Sequence, residues 1–260
     1  MTSAADLVRV DRTGHVVTLT LDRPQAHNAL STVMLERLAA LMRDLAAAGP
    51  DPDRPRALVL TGAGRSFCSG ADTREPDWHD IARRAVRRDH FRAVLTALHR
   101  LPFPTVAAVE GYALGGGLEV ALACDLVVAA ESAVFGLPEL TVGAVPGGGG
   151  VHSLVQRAGR GVAADLLLTG GRLSGAELAR RGGVERLAPD GGALTAALEL
   201  ARPLAGRDPA LLEAGVRLLR DSGALDRTTA LGVEDGYWWR GAVAAHRPVP
   251  PRIADSVHSE

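Results

Sequence analysis

A Gly-rich turn runs directly into a short helix in the sequence EGYALGGGLEVALACD, residues 110–125. The apolar strand TVAAVEG, residues 105–111, precedes this helix, and a second apolar strand, DLVVAA at residues 125–130, follows it. The order strand, Gly-rich turn, helix, strand is typical of α/β proteins with parallel or mixed sheets. We therefore expect ligand sites where the Gly-rich loops leave the strands.

The same alternation extends toward the N-terminus. Residues 15–22, HVVTLTLD, alternate apolar and polar side chains as a half-buried strand does. Ser31 is the predicted N-cap of a helix whose leucines recur at helical spacing until Gly49-Pro50 ends it. A continuous apolar run, ALVLTG at residues 57–62, then predicts a fully buried strand.

Residues 79–100 are predicted to form an amphipathic helix. The side chains predicted to face the core are Ile81, Ala85, Phe91, Val94, Leu95 and Leu98. The side chains predicted to form a solvated outer face are Arg83, Arg84, Arg87 and Arg88.

Beyond Gly161 the chain is predicted to be mainly helical. Ser174 is a second predicted N-cap, and an alanine- and leucine-rich helix is expected at residues 193–205. The Pro-rich tail after Ala245 is predicted to be irregular.

Composition excludes several classes of protein. The 260 residues are 47% hydrophobic with a mean hydropathy of +0.08, so the chain can bury a sizeable core. All 29 basic residues are arginines and nearly cancel 30 acidic residues, which gives no electrostatic case for a nucleic-acid partner. The chain start lacks a signal sequence and no apolar run reaches the length of a membrane span. We expect a cytoplasmic protein without a membrane partner.

Cys68 and Cys124 are expected to be reduced, buried, small apolar residues. Neither has a metal-ligand spacing with a histidine, so no metal site is predicted.

Three Gly-rich segments each follow a strand: GAGRSFCSGAD at residues 62–72, EGYALGGGLEVALACD at 110–125, and FGLPELTVGAVPGGGG at 135–150. Clustered glycines permit a close approach of the backbone to a ligand. In the second segment they open a helix, so the amide of Gly116 is an unpaired donor at a helix N-terminus and suits a developing negative oxygen. Glu119 follows in the first turn, where its carboxylate can face the same cavity.

Glu139 is an isolated acidic residue in a stretch that is otherwise apolar from Ala133 to Val145. Burying a carboxylate is costly unless the group is used or paired. Two carboxylates that share a pocket push their pKa values apart, so that one can act as a base and the other as an acid near neutral pH. Glu119 and Glu139 are therefore the candidate pair.

The segments RPQAHNALS, GAGRSFCSGAD, EGYALGGGLEVALACD and FGLPEL…G…PGGGG, in this order and spacing, together resemble the crotonase, or enoyl-CoA hydratase/isomerase, superfamily over roughly residues 7–190. The resemblance implies a spiral of ββα units at residues 1–190 with the acyl-CoA site. It implies a helical region at residues 191–260 that supports oligomerisation and closes the pocket. Family members usually assemble as trimers or as dimers of trimers.

The resemblance also implies roles for individual residues. The amides of Ala71 and Gly116 would hold the thioester oxygen. The residue at Glu119 would deprotonate a water that attacks the β-carbon, and the residue at Glu139 would exchange a proton with the α-carbon. The amide of Gly147 would orient that water.

Coenzyme A would bind as part of the thioester substrate, and no permanently bound cofactor is expected. By resemblance its adenine would lie beside Ala71, Asp72, Thr73 and Arg74, near Gly116, and its phosphates near Arg23, His27 and Arg65. The position of His27 commonly holds a lysine or arginine in the family, but this chain has no lysine.

The resemblance predicts a hydro-lyase, an enoyl-CoA hydratase or acyl-CoA dehydratase. Two alternatives stay open: an enoyl-CoA isomerase that uses Glu139, and a non-catalytic acyl-CoA-binding paralogue. Tyr237, Trp238 and Trp239 fit either a core or interface cluster or an aromatic lid over the acyl site.

Overall fold

The structure, a computed structural model, describes residues 7–47, 53–76, 78–223 and 225–244, with only the backbone of Ser222 and residues 238–244. The chain divides into two compact units, Met1–Arg207 and Asp208–Glu260. The second unit begins with the sequence Asp208-Pro209, where the Asp208 side chain caps a new helix by accepting from two backbone amides.

Nine strands occur in the part of the first unit that the structure describes. They are β1 (Val8–Thr13), β2 (Val16–Leu21), β3 (Ala57–Gly62), β4 (Thr105–Val109), β5 (Tyr112–Leu114), β6 (Leu126–Ala130), β7 (Val134–Gly136), β8 (Arg172–Ser174) and β9 (Arg186–Ala188). A six-stranded sheet has the order β1-β2-β3-β4-β6-β9, and a three-stranded sheet has the order β5-β7-β8. In the larger sheet only the β1–β2 pair is antiparallel.

Helices connect these strands. They are α1 (Thr32–Ala47), α2 (Ile81–Arg100), α3 (Gly116–Ala123), α4 (Gly150–Thr169), α5 (Gly175–Arg180) and α6 (Ala193–Ala205). Ser31 accepts from the Met34 amide, and Ser174 forms a reciprocal capping box with Glu177, so both predicted N-caps are confirmed. The predicted α/β architecture is confirmed as well.

The central strands of the larger sheet are buried on both faces. Along β3, Leu58 and Leu60 pack into the main core, whereas Ala57 and Val59 face the opposite side. That opposite side is covered by α6, whose buried alanines recur every fourth residue at Ala193, Ala197, Ala201 and Ala205. The continuous apolar run predicted for β3 reflects this burial on two faces.

The predicted faces of α2 were partly wrong. Val94 and Leu98 are buried, but Ile81 is 83% exposed and Ala85 is also exposed. Arg87, assigned to the solvated face, is only 5% exposed, because its guanidinium donates to the Glu75 carboxylate at 2.8 Å. An arginine can bury its aliphatic stem while its guanidinium is paired. The charge of the arginines therefore did not reveal which face of α2 is buried.

The second unit contains α7 (Pro209–Ser222) and α8 (Arg227–Ala244). The Tyr237 hydroxyl donates to Asp221 at 2.9 Å. The side chains of Trp238 and Trp239 and the Pro-rich tail lie outside the described residues. Self-association as a trimer or dimer of trimers, and the pocket-closing role of residues 191–260, stay predictions.

The structure also bears on two expectations from composition. Cys68 and Cys124 are both buried and are not joined in a disulfide bond, as predicted. None of the described helices is long and apolar enough to cross a membrane.

Candidate active site

The first and second Gly-rich segments are joined by backbone hydrogen bonds. The Cys68 amide donates to Tyr112 O at 2.7 Å, and the Leu114 amide donates to Cys68 O at 3.0 Å. Gly70 follows with a φ of +98°, and a β-carbon there would lie 2.8 Å from Leu114 O. The absence of a side chain at Gly70 therefore lets the chain pass beside the start of α3, where Gly116 lies.

Two amides at this junction have no regular backbone hydrogen bond among the described residues. Ala71 forms an isolated parallel bridge with Leu30, but the bridge uses the amides of Leu30 and Asp72 rather than that of Ala71. Gly116 is the first residue of α3, where a backbone amide has no acceptor within its own helix. The Cβ position of Gly70 is 3.5 Å from the Gly116 nitrogen, so the two segments meet closely. The structure thus brings the two predicted oxyanion donors together.

Glu119 lies in the first turn of α3 and is 3% exposed. Its Oε1 accepts from the amides of Gly148 at 2.6 Å and Gly150 at 3.1 Å. Burial raises the pKa of the Glu119 carboxyl above its usual value, although these amides, that of Gly147 and the charge of Arg88 oppose the shift. The carboxylate is therefore fixed in place and also prone to take up a proton.

Glu139 begins a 3₁₀ turn, Glu139–Val142, directly after β7 and Pro138. Its Oε1 lies 3.0 Å from the position that a β-carbon on Gly115 would occupy. Among the described residues, its buried Oε2 has no hydrogen-bond partner. Burial raises the pKa of the Glu139 carboxyl, and the nearby charge of Glu119 adds to the increase. Both predicted acids thus have pKa values shifted toward neutrality.

Helix α2 and the third Gly-rich segment pack against each other beside Glu119. A β-carbon on Gly148 would lie 2.5 Å from Phe91 Cε1, 2.7 Å from Leu95 Cδ1 and 3.0 Å from Glu119 Cδ. A β-carbon on Gly147 would collide with the Arg88 guanidinium. Phe91 and Leu95 therefore form an apolar wall, and Arg88, which sequence reasoning placed in solvent away from the site, lies beside the loop that holds Glu119.

Two residues predicted to contact coenzyme A are engaged with each other. Arg23 forms an ion pair with Asp72 at 2.9 Å and also donates to Ala29 O at 2.8 Å. Burial by itself raises the pKa of the Asp72 carboxyl, but hydrogen bonds from Arg23 and the Arg74 amide, with the two arginine charges, hold it below its usual value. The ion pair connects the early turn to the loop that carries Ala71.

The other predicted coenzyme A residues are exposed. His27 has a left-handed φ of 49°, and its Nδ1 lies 3.1 Å from Ser66 Oγ. Arg65 and Thr73 are exposed, and Arg74 lies 3.4 Å from Asp72. Arg65, Thr73 and Arg74 belong to the loop that also carries Ala71, so the structure places these three residues at one edge of the site.

Three residues that hold the site were not singled out from the sequence. Asn28 is fully buried and donates to Ala63 O and Ser66 O, which fixes the first Gly-rich loop. Gly148 and Gly150 carry the amides that bind Glu119. The run of four glycines indicated that the backbone closely approaches another group, but it did not indicate which carboxylate accepts hydrogen bonds from these amides.

The arrangement suits proton transfer next to a carbonyl group. Two amides can bind an oxygen that develops negative charge, and two carboxylates with raised pKa values lie close by. Within the described residues, no group of three His, Cys, Asp or Glu side chains is arranged to hold a metal ion.

Residues 11–231 match the sequence profile of the family described as enoyl-CoA hydratase/isomerase. The chain is 39% identical to 2,3-dehydroadipyl-CoA hydratase of Escherichia coli over 82% of this chain and 81% of that protein. It is 36% identical to enoyl-CoA hydratase EchA19 of Mycobacterium tuberculosis over 86% and 84%. The solved structure of enoyl-CoA hydratase from Bacillus anthracis matches with a TM-score of 0.86 and 33% identity over 91% of each chain.

Proposed function

The chain belongs to the enoyl-CoA hydratase/isomerase family and has its crotonase fold, and from that premise we propose that it is a hydro-lyase whose Glu119 and Glu139 add water across the α,β double bond of an acyl-CoA thioester. The same residues run the reaction in reverse as a dehydration. The observation that carries the proposal is the convergence of the buried Glu119 carboxylate and the half-buried Glu139 carboxylate beside the amides of Ala71 and Gly116.

The thioester oxygen occupies the space between the amides of Ala71 and Gly116. Negative charge grows on that oxygen as the β-carbon is attacked, because the electrons of the double bond move into an enolate. Each amide stabilises this charge by about 3–4 kcal/mol, judged from other oxyanion holes. Neither amide has to reorganise, since the loops that carry them are fixed by backbone hydrogen bonds.

Glu119 acts on the water. Its Oε1 is held by Gly148 and Gly150, which leaves Oε2 to accept a proton as the water oxygen bonds to the β-carbon. The amide of Gly147, in the same loop, orients that water. Glu139 supplies a proton from Oε2 to the α-carbon, so that the thioester gains one water molecule. The proton taken up by Glu119 then returns to Glu139 through solvent, which restores both carboxyls for the next turnover.

Coenzyme A extends from the thioester past residues 71–74. The exposed side chains of His27, Arg65 and Arg74 are available for its phosphates, whereas Arg23 contributes by holding Asp72 and thereby the loop. The acyl group extends the other way, along the wall made by Phe91 and Leu95.

Hydration of crotonyl-CoA tests this mechanism through the loss of enoyl-thioester absorbance. Glu119→Gln and Glu139→Gln are each expected to lower kcat by at least about 100-fold, because each removes a proton-transfer group. Glu131→Gln, which alters an exposed carboxylate outside the site, is the matched control and is expected to retain the parent rate.

Two results would contradict the proposal. Full activity in either glutamine variant would exclude that residue from the chemistry. A parent protein that moves a double bond in a 3-enoyl-CoA, without hydrating any 2-enoyl-CoA, would establish the isomerase alternative instead.

A further inference from the structure

Three side chains of α2 face the third Gly-rich segment. Arg88, Phe91 and Leu95 are spaced three and four residues apart, so they lie on one side of the helix. Phe91 is the nearest side chain both to the Cβ position of Gly116, at 3.5 Å, and to that of Gly148. Arg88 lies one turn before Phe91, against Gly147. The Arg88 guanidinium therefore lies at one end of the apolar wall formed by Phe91 and Leu95.

Two neighbouring arginines on α2 have a protein partner, whereas Arg88 has no ion-pair partner among the described residues. Arg87 pairs with Glu75, and Arg84 lies over the Trp78 ring at 5.5 Å. Among the described residues, no carboxylate forms an ion pair with Arg88, although its charge reaches Glu119. Its side chain is exposed, so its donors are accessible to a ligand.

We propose that the Arg88 guanidinium binds a carboxylate on the acyl chain, so that the protein prefers enoyl-CoA substrates with an acidic acyl group. The inference rests on the proposed function, because that function places the acyl chain along Phe91 and Leu95 and coenzyme A beside residues 71–74. Gly147 lies on the side of the glutamates. Arg88 therefore meets the acyl group rather than the phosphates.

The chemistry of the two partners is complementary. A guanidinium presents its donors in a planar fork that matches the two oxygens of a carboxylate. The neighbouring wall of Phe91 and Leu95 accommodates the methylene groups that link such a carboxylate to the double bond. An uncharged acyl chain would leave the guanidinium in water and gain nothing from it.

A matched pair of substrates tests the preference. The two thioesters are 2-hexenoyl-CoA and its terminal carboxylate analogue, 2,3-dehydroadipyl-CoA, which have the same carbon chain length. We expect the parent to have the higher kcat/KM for the acidic thioester. Arg88→Met is expected to lower the ratio of the two kcat/KM values by about tenfold, as loss of one charged hydrogen-bond partner does at an accessible site.

Two further variants make the test specific. Arg92→Met removes the same charge from an exposed position on α2 and is expected to leave the ratio unchanged. Arg88→Lys keeps the charge but not the fork, so an intermediate ratio is expected.

The possible failures are distinguishable. If Arg88→Met lowers both kcat/KM values equally, Arg88 acts only on the charge of Glu119 and the inference is overturned. An unchanged ratio would overturn it as well, while turnover of 2-hexenoyl-CoA would still support the proposed function. A parent that hydrates neither of these thioesters nor crotonyl-CoA would overturn both, whereas hydration of crotonyl-CoA alone would overturn only the inference.

Discussion

Glu119 and Glu139 are subject to opposing influences that set their protonation. Glu119 is buried and Glu139 is half-buried, which favours the neutral acid in both, but Glu119 accepts two backbone amide hydrogen bonds that favour the charged form. Glu139 has a buried oxygen without a partner and experiences the charge of Glu119. Glu119 is therefore the better candidate for the base, and Glu139 for the acid, in the hydration direction.

The pH dependence of hydration follows from these shifts. A base must be ionised to act, and the pKa values of both carboxyls are raised above the usual 4.5. We expect kcat/KM for crotonyl-CoA to decline on the acidic side with a midpoint above pH 4.5. A second decline is expected at higher pH, where the acid loses its proton.

Initial rates across a pH series, with enzyme recovered to neutral pH as a control for unfolding, measure this profile. An acidic midpoint at or below pH 4.5 would show that the pKa of the Glu119 carboxyl is not raised as described.

The third Gly-rich segment depends on the absence of side chains. Gly147, Gly148 and Gly150 all pack so closely that an added β-carbon would overlap Arg88, Phe91 or Glu119. The loop can therefore approach the carboxylate only as glycine. Its amides and the start of α4 are positioned by this contact rather than by any side chain of their own.

Gly148→Ala tests this dependence. The new methyl group would displace Phe91, Leu95 or Glu119, so we expect kcat/KM to fall by about 10- to 100-fold. Stability is expected to fall by about 1–3 kcal/mol from overpacking. Gly161→Ala, in α4 with nothing within 4 Å, is the matched control.

Both variants would be compared by initial rates and by denaturant unfolding. The control is expected to be fully active and slightly more stable, because alanine favours a helix. Parent-like activity in Gly148→Ala would mean that the loop is not held tightly against Glu119.

At the scale of the whole molecule, the early turn and the loop that carries Ala71 are connected by an ion pair. Arg23 and Asp72 have side chains that are 20% and 6% exposed, and they join segments nearly fifty residues apart. The depressed pKa of Asp72 means that folding favours its charged form. This contribution to stability is present above the carboxyl's unfolded pKa and is lost as the pH falls through its folded pKa.

Asp72→Asn is expected to reduce the free energy of unfolding at neutral pH by about 2–3 kcal/mol, because it leaves Arg23 without its counter-ion. Asp22→Asn breaks the exposed pair with Arg9, at 3.2 Å, and is expected to cost less than about 1 kcal/mol. Urea unfolding at several pH values measures both.

The difference between the parent and Asp72→Asn should shrink as the pH falls below about 4, the usual range for aspartate. The raised pKa values of Glu119 and Glu139 act in the opposite direction, but they are common to both proteins and cancel in the comparison. A difference that does not depend on pH would show that the ion pair is not the source of the stability.

The sequence by itself determined the local elements and the candidate chemistry. Period-two and helical patterns located β2 and α1, and the capping side chains of Ser31 and Ser174 marked where helices begin. These features depend on neighbouring residues, so they can be recognised from short stretches of chain. The acidic residues at 119 and 139 stood out for the same reason, since each lies in an apolar or Gly-rich setting.

Only the tertiary structure decided how these parts meet. Glu119 accepts hydrogen bonds from amides that are 29 and 31 positions away, and Arg87 donates to the Glu75 carboxylate across a turn. The pattern of α2 did not specify which arginine is buried and which borders the site, because long side chains satisfy either environment. Such choices are made by packing between distant segments, which local periodicity does not encode.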